Sequence, residues 1–380
     1  MKKVMFMVNG LSGGGAEKVL QTLLTNLNYD KYNITLYSMH REKIEEMDYP
    51  KKIHYKVVFD YYQGKNEIKK KIYSVAEKIK GKIFQKCSAK IFYRLFIREN
   101  YDVEIAFIEG ESTKIISGSG NKKSKKYAWV HIDLIENPWT EFLYKDNSDE
   151  TECYQKFDKV LCVSESVKDA FLSKFNIGSE KVKVQYNPID SREIIQKAKN
   201  SNKYETKNVF RMIAVGRLVK QKGFDRLLEC AGRLKKDGFK FEIYILGEGE
   251  ERENLEKQRK RLQIEDIIWM VGFQKNPYSI MSTGDLLVSS SRSEGYSTVV
   301  TEGMVLGLPV VSTECAGIRE LFGDCECGII TQNNTESLYE ALKKILSTPQ
   351  ILNRYREEVL RRREKFSLTN TMTEIEKILD

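Results

Sequence analysis

Short apolar runs alternate along the first half of the chain with stretches in which apolar residues recur every three or four positions. Residues 4–8 predict a buried strand, and the apolar spacing over 16–27 predicts a helix after it. Further strands are predicted at 33–39, 102–110, 126–133, 159–166 and 181–190. Strands that alternate with helices in this way form parallel sheets covered on both faces.

The same pattern starts again after residue 190. It predicts strands at 210–218, 241–249, 267–273, 284–291, 309–313 and 328–330, and helices at 223–236 and 251–262. We therefore predict an α/β protein with two Rossmann-like domains that face each other across a cleft. The predicted domains are 1–190 and 191–365, and the last segment, 366–380, is predicted to be a helix that returns to the first domain.

The positive charge of this 380-residue chain is concentrated in one segment. Residues 65–98 contain eleven Lys or Arg and two Glu, which accounts for the whole net charge of +9. Such a local excess of positive charge indicates one surface that binds anions. Binding to nucleic acid in general would instead be expected of a chain whose positive charge is spread evenly. Apolar residues recur at helical spacing from 68 to 95, so the segment is either a helix that covers the sheet or a helix whose lysine face binds anionic lipid.

Other features of the sequence limit its location and its cofactors. The seven cysteines are scattered and odd in number, and no zinc-site spacing is present, so we expect reduced thiols and no metal. No secretory leader and no apolar run of 18 residues is found. We expect a cytoplasmic protein that is peripheral on the inner face of the plasma membrane.

Ligands of doubly wound folds bind at the carboxyl ends of the strands, so the loops there carry the candidate chemistry. The first is the glycine-rich turn NGLSGGGAEK (9–18), which leads into a helix whose N-terminus favours anions. It is neither a Walker A loop nor a GxGxxG dinucleotide motif. Gly13, Gly14 and Gly15 are candidates for close approach to a phosphate.

Two loops of the second half add charged residues. VGRLVKQKG (215–223) places Arg217 and Lys222 beside a helix start, where they would suit a diphosphate without a metal ion. SRSEGYSTVVTEGMVLGLPVVST (291–313) places Glu294 in a loop and Glu302 inside a helix that starts near Ser297. A carboxylate in an apolar helix needs hydrogen-bond donors, and sugar hydroxyls are such donors.

The first half offers weaker candidates. His131, in WVHID, follows a strand and is either a binding residue or an ordinary core histidine. Glu109 and Glu111, in FIEGEST, lie at another strand end, where they could bind acceptor hydroxyls or simply be surface charges.

Several of these motifs together resemble glycosyltransferase family 4. The resemblance rests on GGGAEK, VGRLVKQKG, LGEGEERENLE, SEGYSTVVTEGMVLGLPVVS and FSLTNTMTEIEKIL, and it is most specific over 210–320. The stretch NPYSIMSTGDLLVSSSRSEG is most similar to enzymes of bacterial capsule, O-antigen and lipid-linked oligosaccharide assembly. The resemblance implies the GT-B fold and retaining transfer of a sugar from a nucleotide diphosphate sugar, with UDP-sugars as the leading donor class, to a hydroxyl of a lipid-linked or polysaccharide acceptor.

The resemblance also implies roles for residues. Arg217 and Lys222 would neutralise the leaving diphosphate, Glu294 would bind the donor sugar and Glu302 the ribose. His131 would lie beside the donor sugar. The remaining donor-site residues, which would contact phosphate, sugar or base largely through the backbone, are Gly13, Gly14, Gly15, Gly272, Phe273, Gly295, Tyr296, Ser297 and Thr298.

Three other functions are consistent with parts of the pattern. A nucleotide-sugar epimerase could share the fold, and a non-catalytic glycan-binding subunit could retain the site. A dinucleotide oxidoreductase is disfavoured by the absence of GxGxxG.

Overall fold

The computed structural model describes residues 1–11, 14–41, 49–60, 67–199 and 209–380. The chain divides into two compact units, which are described separately below. Unit 1 comprises Met1–Tyr186 and Asn370–Asp380, and unit 2 comprises Asn187–Thr369. Each unit contains one parallel sheet with helices, and this confirms the predicted α/β class.

Unit 1 is built on a seven-stranded sheet with the order β3-β2-β1-β4-β5-β6-β7. Residues 4–8 of the central strand β1 are all buried, because helices cover both faces of a parallel sheet. The strands are β1 (Lys2–Val8), β2 (Tyr32–His40), β3 (His54–Phe59), β4 (Val103–Ala106), β5 (Lys125–Val130), β6 (Lys159–Cys162) and β7 (Val182–Val184).

In the described ranges before residue 187, unit 1 has six α-helices. They are α1 (Gly15–Asn26), α2 (Glu67–Lys86), α3 (Ala89–Phe96), α4 (Glu111–Ser117), α5 (Asn147–Gln155) and α6 (Glu165–Lys174). Ser164 caps α6 by accepting a hydrogen bond from the Val167 amide. The apolar side of α1 is buried as its spacing predicted, through Val19, Leu20, Leu23 and Leu24.

Unit 2 has a six-stranded parallel sheet with the order β10-β9-β8-β11-β12-β13. Pairing of Leu286 with Met212 places β11 directly beside β8, so the loops that follow these strands leave the same edge. The strands are β8 (Phe210–Val215), β9 (Phe241–Leu246), β10 (Ile268–Gly272), β11 (Leu286–Ser289), β12 (Val310–Thr313) and β13 (Gly328–Thr331).

Apolar clusters on both faces of this sheet form the core of unit 2. The helices are α7 (Ser191–Ala198), α8 (Phe224–Lys236), α9 (Arg252–Arg261), α10 (Tyr278–Met281), α11 (Thr298–Val305), α12 (Ile318–Phe322), α13 (Thr335–Ser347) and α14 (Ile351–Arg363). On one face Leu227 and Leu338 are fully buried, and on the other Val300 and Val359 are fully buried.

The last helix, α15 (Leu368–Leu379), joins unit 1 from residue 370 onward. Its Met372, Ile375 and Leu379 are buried. The hydroxyl of Tyr32 donates to Asp380 Oδ1 at 2.8 Å, and Lys2 Nζ donates to the Leu379 carbonyl at 3.1 Å. These contacts tie the chain end to the start of β1 and β2, as the sequence predicted for the C-terminal helix.

In unit 1 the strands predicted at 102–110, 159–166 and 181–190 end earlier, at Ala106, Cys162 and Val184, and two further elements differ from the prediction. The sequence prediction omitted β3, an edge strand whose residues 54–57 are only partly buried or exposed. The basic segment forms two helices, α2 and α3, instead of one, with Ser88 as the residue before α3. No helix in the described ranges has both the length and the apolar content needed to cross a bilayer.

Candidate functional site

In unit 2 the loop after β8 is bound to the loop after β11. Gln221 Nε2 donates to the Ser293 carbonyl at 2.9 Å, and the Arg292 amide donates to the Gln221 carbonyl at 2.7 Å. Gly223 adopts φ +63°, and a Cβ there would lie 2.0 Å from the Ser290 carbonyl oxygen. Glycine is therefore required for this close approach.

The two loops bring Lys222 and Glu294 into direct contact. Lys222 Nζ lies 2.6 Å from Glu294 Oε1, and Ser291 Oγ donates to the same oxygen at 2.6 Å. Both side chains are largely but not completely buried, with 20% and 13% of their surface exposed. Because an ammonium has three donors, Lys222 can hold Glu294 and an anionic ligand at the same time.

Arg217 lies on the same loop, and its side chain is exposed. Its neighbour Leu218 donates its backbone amide to the Glu248 carbonyl at 2.9 Å, so the loop is also fixed to the segment after β9. Within the described ranges, the guanidinium group forms no hydrogen bond or ion pair with another side chain. Arg217 thus presents a charge at this edge without a protein carboxylate to neutralise it.

Glu302 lies inside α11 and is only 4% exposed. The hydroxyl of Tyr278 donates to Glu302 Oε1 at 3.1 Å. Burial, and next the charge of Glu302, raise the pKa of Tyr278, so this hydroxyl remains a donor at neutral pH. The sequence indicated that Glu302 needs hydrogen-bond donors. It did not identify Tyr278 as one of them, because no sequence pattern marks a tyrosine at the start of α10.

The amide groups of the segment 295–298 lie before or at the start of α11. Ser297 is the N-cap and accepts from the Val300 amide, and Gly295 is buried. Gly317 has φ +75°, and a Cβ there would lie 2.4 Å from the Gly295 carbonyl oxygen. The sequence analysis missed Gly317, whose close approach supports the segment that holds Gly295, Tyr296, Ser297 and Thr298.

The predicted base-contact residues follow β10. Gly272 ends the strand, and its carbonyl accepts from the Gly247 amide at 2.9 Å. The next side chain, Phe273, is 68% exposed, which is unusual for an aromatic residue. It therefore presents an apolar ring at the same edge of the unit 2 sheet as Lys222 and Glu294.

In unit 1, Glu109 is buried at the end of the segment after β4 and is 4% exposed. Its Oε2 accepts from the His131 amide at 3.0 Å, and its Oε1 accepts from Trp139 Nε1 at 3.3 Å. Burial raises the pKa of Glu109, and the hydrogen bond from His131 opposes this shift. Both oxygens are engaged by protein donors, which leaves little surface for the acceptor sugar that the sequence placed here.

His131 follows β5 and packs against two aromatic rings. Its ring centroid is 4.9 Å from that of Phe107 and 6.1 Å from that of Trp129. Burial lowers the pKa of His131 to about 3, against a smaller opposite effect of a hydrogen bond to the Phe107 carbonyl. The imidazole is therefore neutral at physiological pH, and its Nε2 is buried with no partner in the described part of the chain.

The other predicted residues of unit 1 are less fully described. Gly14 is the N-cap of α1 and Gly15 its first residue, so both stand at a helix N-terminus as predicted. Gly13 lies outside the described residues. Glu111 is partly exposed at the start of α4, and burial raises the pKa of its carboxyl group while His40 opposes the shift.

No group of three or more potential metal ligands occurs in the ranges that the structure describes. The donor set at the unit 2 edge is instead a lysine, an exposed arginine, backbone amides and two carboxylates. Such a set can hold an anion through the cations and amides, and hydroxyl groups through the carboxylates.

The sequence is similar to those of known glycosyltransferases. Residues 193–362 match the family model described as glycosyl transferases group 1. Over 370 residues, and 96% of both chains, the sequence is 29% identical to the N-acetylgalactosamine-N,N'-diacetylbacillosaminyl-diphospho-undecaprenol 4-alpha-N-acetylgalactosaminyltransferase of Campylobacter jejuni. It is 23% identical, over 92% of both chains, to an amylovoran biosynthesis glycosyltransferase of Erwinia amylovora.

A solved structure shows the same fold over the whole chain. HepE of Anabaena, crystallised in complex with UDP and glucose, superposes with a TM-score of 0.76 over 100% of this chain and 99% of its own. The two sequences are 18% identical, so this similarity concerns the fold.

Proposed function

We propose that this chain, which is similar to glycosyltransferases with the GT-B fold, transfers a sugar, with retention of configuration, from a UDP-sugar to a hydroxyl of a lipid-linked or polysaccharide acceptor in bacterial surface glycan synthesis. The relative of C. jejuni is named for an undecaprenyl diphosphate acceptor, and HepE was crystallised with UDP. Both names support these substrate classes as a proposal for this chain.

The contact between Lys222 and Glu294 is the observation that carries the proposal. Lys222 donates to the diphosphate of the UDP-sugar, and Arg217 adds a second charge from the same loop. Glu294, held by Lys222 and Ser291, accepts from hydroxyls of the donor sugar. With a cation beside a sugar-binding carboxylate, the bond that breaks, between the anomeric carbon and the phosphate oxygen, lies next to a positive charge. That charge stabilises the leaving diphosphate.

The reaction that fits this site takes place on one face of the sugar. The bond from the anomeric carbon to the diphosphate breaks, and the acceptor oxygen forms its bond on the same face. The acceptor proton moves to the leaving diphosphate, whose negative charge Lys222 and Arg217 stabilise. The protein then supplies positioning and electrostatic stabilisation, and no protein nucleophile or metal ion is needed.

Glu302 and the α11 segment bind the nucleotide part in this proposal. Glu302 accepts from Tyr278 at one oxygen, and ribose hydroxyls supply further donors. The amides of residues 295–298 contact the diphosphate at the start of α11. Phe273 packs against the base at its exposed ring, and Gly272 contacts the base through the backbone.

The activity is tested by incubating the full chain with a panel of UDP-sugars and undecaprenyl diphosphate oligosaccharides. We expect transfer to the lipid-linked acceptor, and the anomeric coupling constant of the product, measured by NMR, to match that of the donor sugar. An inverted product would contradict the retaining mechanism. Epimer formed without acceptor would indicate an epimerase, and no reaction across the panel would favour a non-catalytic subunit.

We also propose that the basic segment 65–98 attaches the enzyme to the inner face of the plasma membrane. In α2 the side chains of Ile72, Val75 and Ile79 are exposed on one stripe. The sheet is instead contacted by Lys80, whose Nζ donates to the Val58 carbonyl at 2.6 Å, and by Phe84, which packs on Phe59. The apolar residues of α2 therefore do not all cover the sheet, contrary to one sequence interpretation.

The neighbouring helix repeats this arrangement. Ile91 and Leu95 of α3 are exposed, and Lys90 and Arg94 flank them. Exposed aliphatic side chains bordered by basic residues are typical of a helix that lies in the membrane interface. The basic residues on these two helices whose exposed side chains are described are Lys71, Lys78, Lys82, Lys90 and Arg94.

Vesicle binding tests whether α2 and α3 attach to a membrane or are simply exposed to solvent. We expect the chain to bind vesicles that contain anionic lipid, and binding to weaken at high salt because each basic residue contributes about 1 kcal/mol. The variant Ile79→Ser/Ile91→Ser should bind at least about fivefold more weakly, because aliphatic insertion is lost. Leu360→Ser, which removes an exposed leucine of α14 in unit 2, is the matched control and should bind normally. Equal binding to neutral vesicles, or normal binding by the double variant, would reject the proposal.

A further inference from the structure

We propose that Glu109 is a positioning residue of the transfer reaction, which fixes His131 so that its Nε2 accepts a hydrogen bond from a substrate hydroxyl. The inference rests on the proposed function, and it assigns Glu109 a role other than the acceptor contact that the sequence favoured. The evidence is the arrangement of hydrogen bonds around one buried carboxylate in unit 1.

The carboxylate of Glu109 joins two points of the segment that follows β5. Its Oε2 accepts from the backbone amide of His131 at 3.0 Å, and its Oε1 accepts from the indole of Trp139 at 3.3 Å. The seven positions between these residues include the exposed Ile135 and Glu136. Glu109 thus closes a surface loop at both ends, and His131 is at its first position.

The backbone around Glu109 is fixed from the opposite side. Asn9, directly after β1, donates its side-chain amide to the Glu109 carbonyl at 2.9 Å. The same Asn9 accepts at Oδ1 from the amide of Ser112 at 3.1 Å and from its hydroxyl at 2.6 Å. The hydroxyl of Tyr144 donates to the Gly110 carbonyl at 3.1 Å. The carboxylate therefore projects from a rigid turn and not from a mobile one.

The ring that this arrangement orients has one unused acceptor. His131 is held between Phe107 and Trp129, and its Nε2 is buried with no partner among the described residues. No protein donor faces Nε2 among the described residues, so in this proposal the ring hydrogen is on the other nitrogen and Nε2 carries the lone pair. Buried polar atoms are nearly always paired, so a hydroxyl of the substrate is the natural partner of Nε2.

Glutamine at position 109 keeps the size of the side chain but changes its hydrogen bonds. Its oxygen can accept from the His131 amide or from the Trp139 indole, but its amide group then faces the other N–H. The segment must shift, and the His131 ring must shift with it. We expect Glu109→Gln to lower kcat at least about tenfold, because loss of a positioned hydrogen bond to the reacting substrate has effects of this size or larger.

Kinetics distinguish positioning from acceptor binding. If Glu109 acts through His131, Glu109→Gln and His131→Ala should change kcat and substrate KM in the same pattern, and the double variant should be no worse than His131→Ala. If Glu109 instead binds the acceptor, Glu109→Gln should raise the acceptor KM alone and add to the effect of His131→Ala. Glu136→Gln, an exposed glutamate of the same loop, is the matched control and should retain wild-type kinetics.

Trp139→Phe supplies a second variant in case Glu109→Gln folds poorly. It removes the indole N–H and retains most of the packing. We expect a smaller decrease in kcat from Trp139→Phe alone. In the Trp139→Phe variant, Glu109→Gln should lower kcat by a smaller factor than it does in the wild type. The reason is that the glutamine amide group no longer faces a second N–H. An equal decrease in kcat in the wild type and in the Trp139→Phe variant would contradict the hydrogen-bond arrangement.

A measurement without substrate separates this inference from the proposed function. The chain has three histidines, His40, His54 and His131, so their imidazole nitrogens can be resolved by ¹⁵N NMR and assigned with His131→Ala. We expect His131 of the wild type to be locked in the tautomer with an unprotonated Nε2, and Glu109→Gln to convert it to a mixture. If the variant retains the locked tautomer, the inference is wrong even if the enzyme transfers sugar. If the tautomer changes but no sugar donor is used, the proposed function is wrong.

Discussion

Replacement of Lys222 by alanine is expected to lower kcat by roughly 10²–10³-fold, the effect of removing one group that stabilises a transition-state anion. Two contributions combine at this position. In the proposed mechanism the ammonium group stabilises the charge that develops on the diphosphate, and in the structure it holds Glu294 Oε1 at 2.6 Å. The variant loses both, so steady-state kinetics should show a decrease in kcat that exceeds any increase in the KM of the UDP-sugar.

Two further variants make this result specific. Lys220→Ala removes an exposed lysine from the same loop and should retain nearly wild-type kcat. Lys222→Arg retains the charge in a different shape and should recover part of the activity, since a guanidinium can also bind a phosphate. If Lys222→Ala transfers sugar as fast as Lys220→Ala, Lys222 does not stabilise the leaving group.

The sequence was sufficient to predict the two sheets because parallel strands have strong patterns. Strands such as β1 and β8 are buried on both faces, so they are short apolar runs between helical segments. The edge strand β3 lacks this signal because one side of it is partly solvated, and its sequence HYKVVF mixes polar and apolar residues. Edge strands are generally the elements that such a pattern misses.

The sequence also placed Lys222 and Glu294 on loops at the same edge of a sheet, but it could not predict their ion pair. That contact depends on β11 lying beside β8, a neighbourhood that the sequence order does not specify. Tyr278 and Gly317 were missed for a similar reason. Each contributes through a contact with a residue distant in sequence, Glu302 or Gly295, and neither has a local motif.

In the basic segment the apolar spacing predicted a helix. The spacing did not predict which side of that helix faces the sheet. Periodicity predicts that Ile72, Val75 and Ile79 share one stripe, and the structure has them on one side. The usual assumption is that such a stripe packs on the protein core. Here Phe84 and the Lys80 ammonium contact β3 instead: Phe84 packs against Phe59 and Phe92, and Lys80 Nζ donates to the Val58 carbonyl.

Glu294→Gln is expected to lower kcat/KM for the UDP-sugar by roughly 10–10²-fold, which corresponds to loss of one or two charge-assisted hydrogen bonds. Glutamine has nearly the same size, so the loop that follows β11 should keep its contacts through Gln221 and Ser293. Binding of UDP without its sugar, measured by calorimetry, should change much less, because Glu294 is proposed to contact the sugar. Lys222→Ala should weaken binding of both UDP and UDP-sugar.

The double variant Lys222→Ala/Glu294→Gln tests whether the two residues act as one unit. Because each single change already removes the ion pair at 2.6 Å, the combined loss in kcat/KM should be clearly smaller than the product of the two single losses. Glu336→Gln, which breaks the exposed ion pair with Arg233, is the matched control and should leave catalysis unchanged. Fully multiplicative losses would mean that Lys222 and Glu294 contribute independently, and the coupling of leaving-group stabilisation to sugar binding would then be absent from this enzyme.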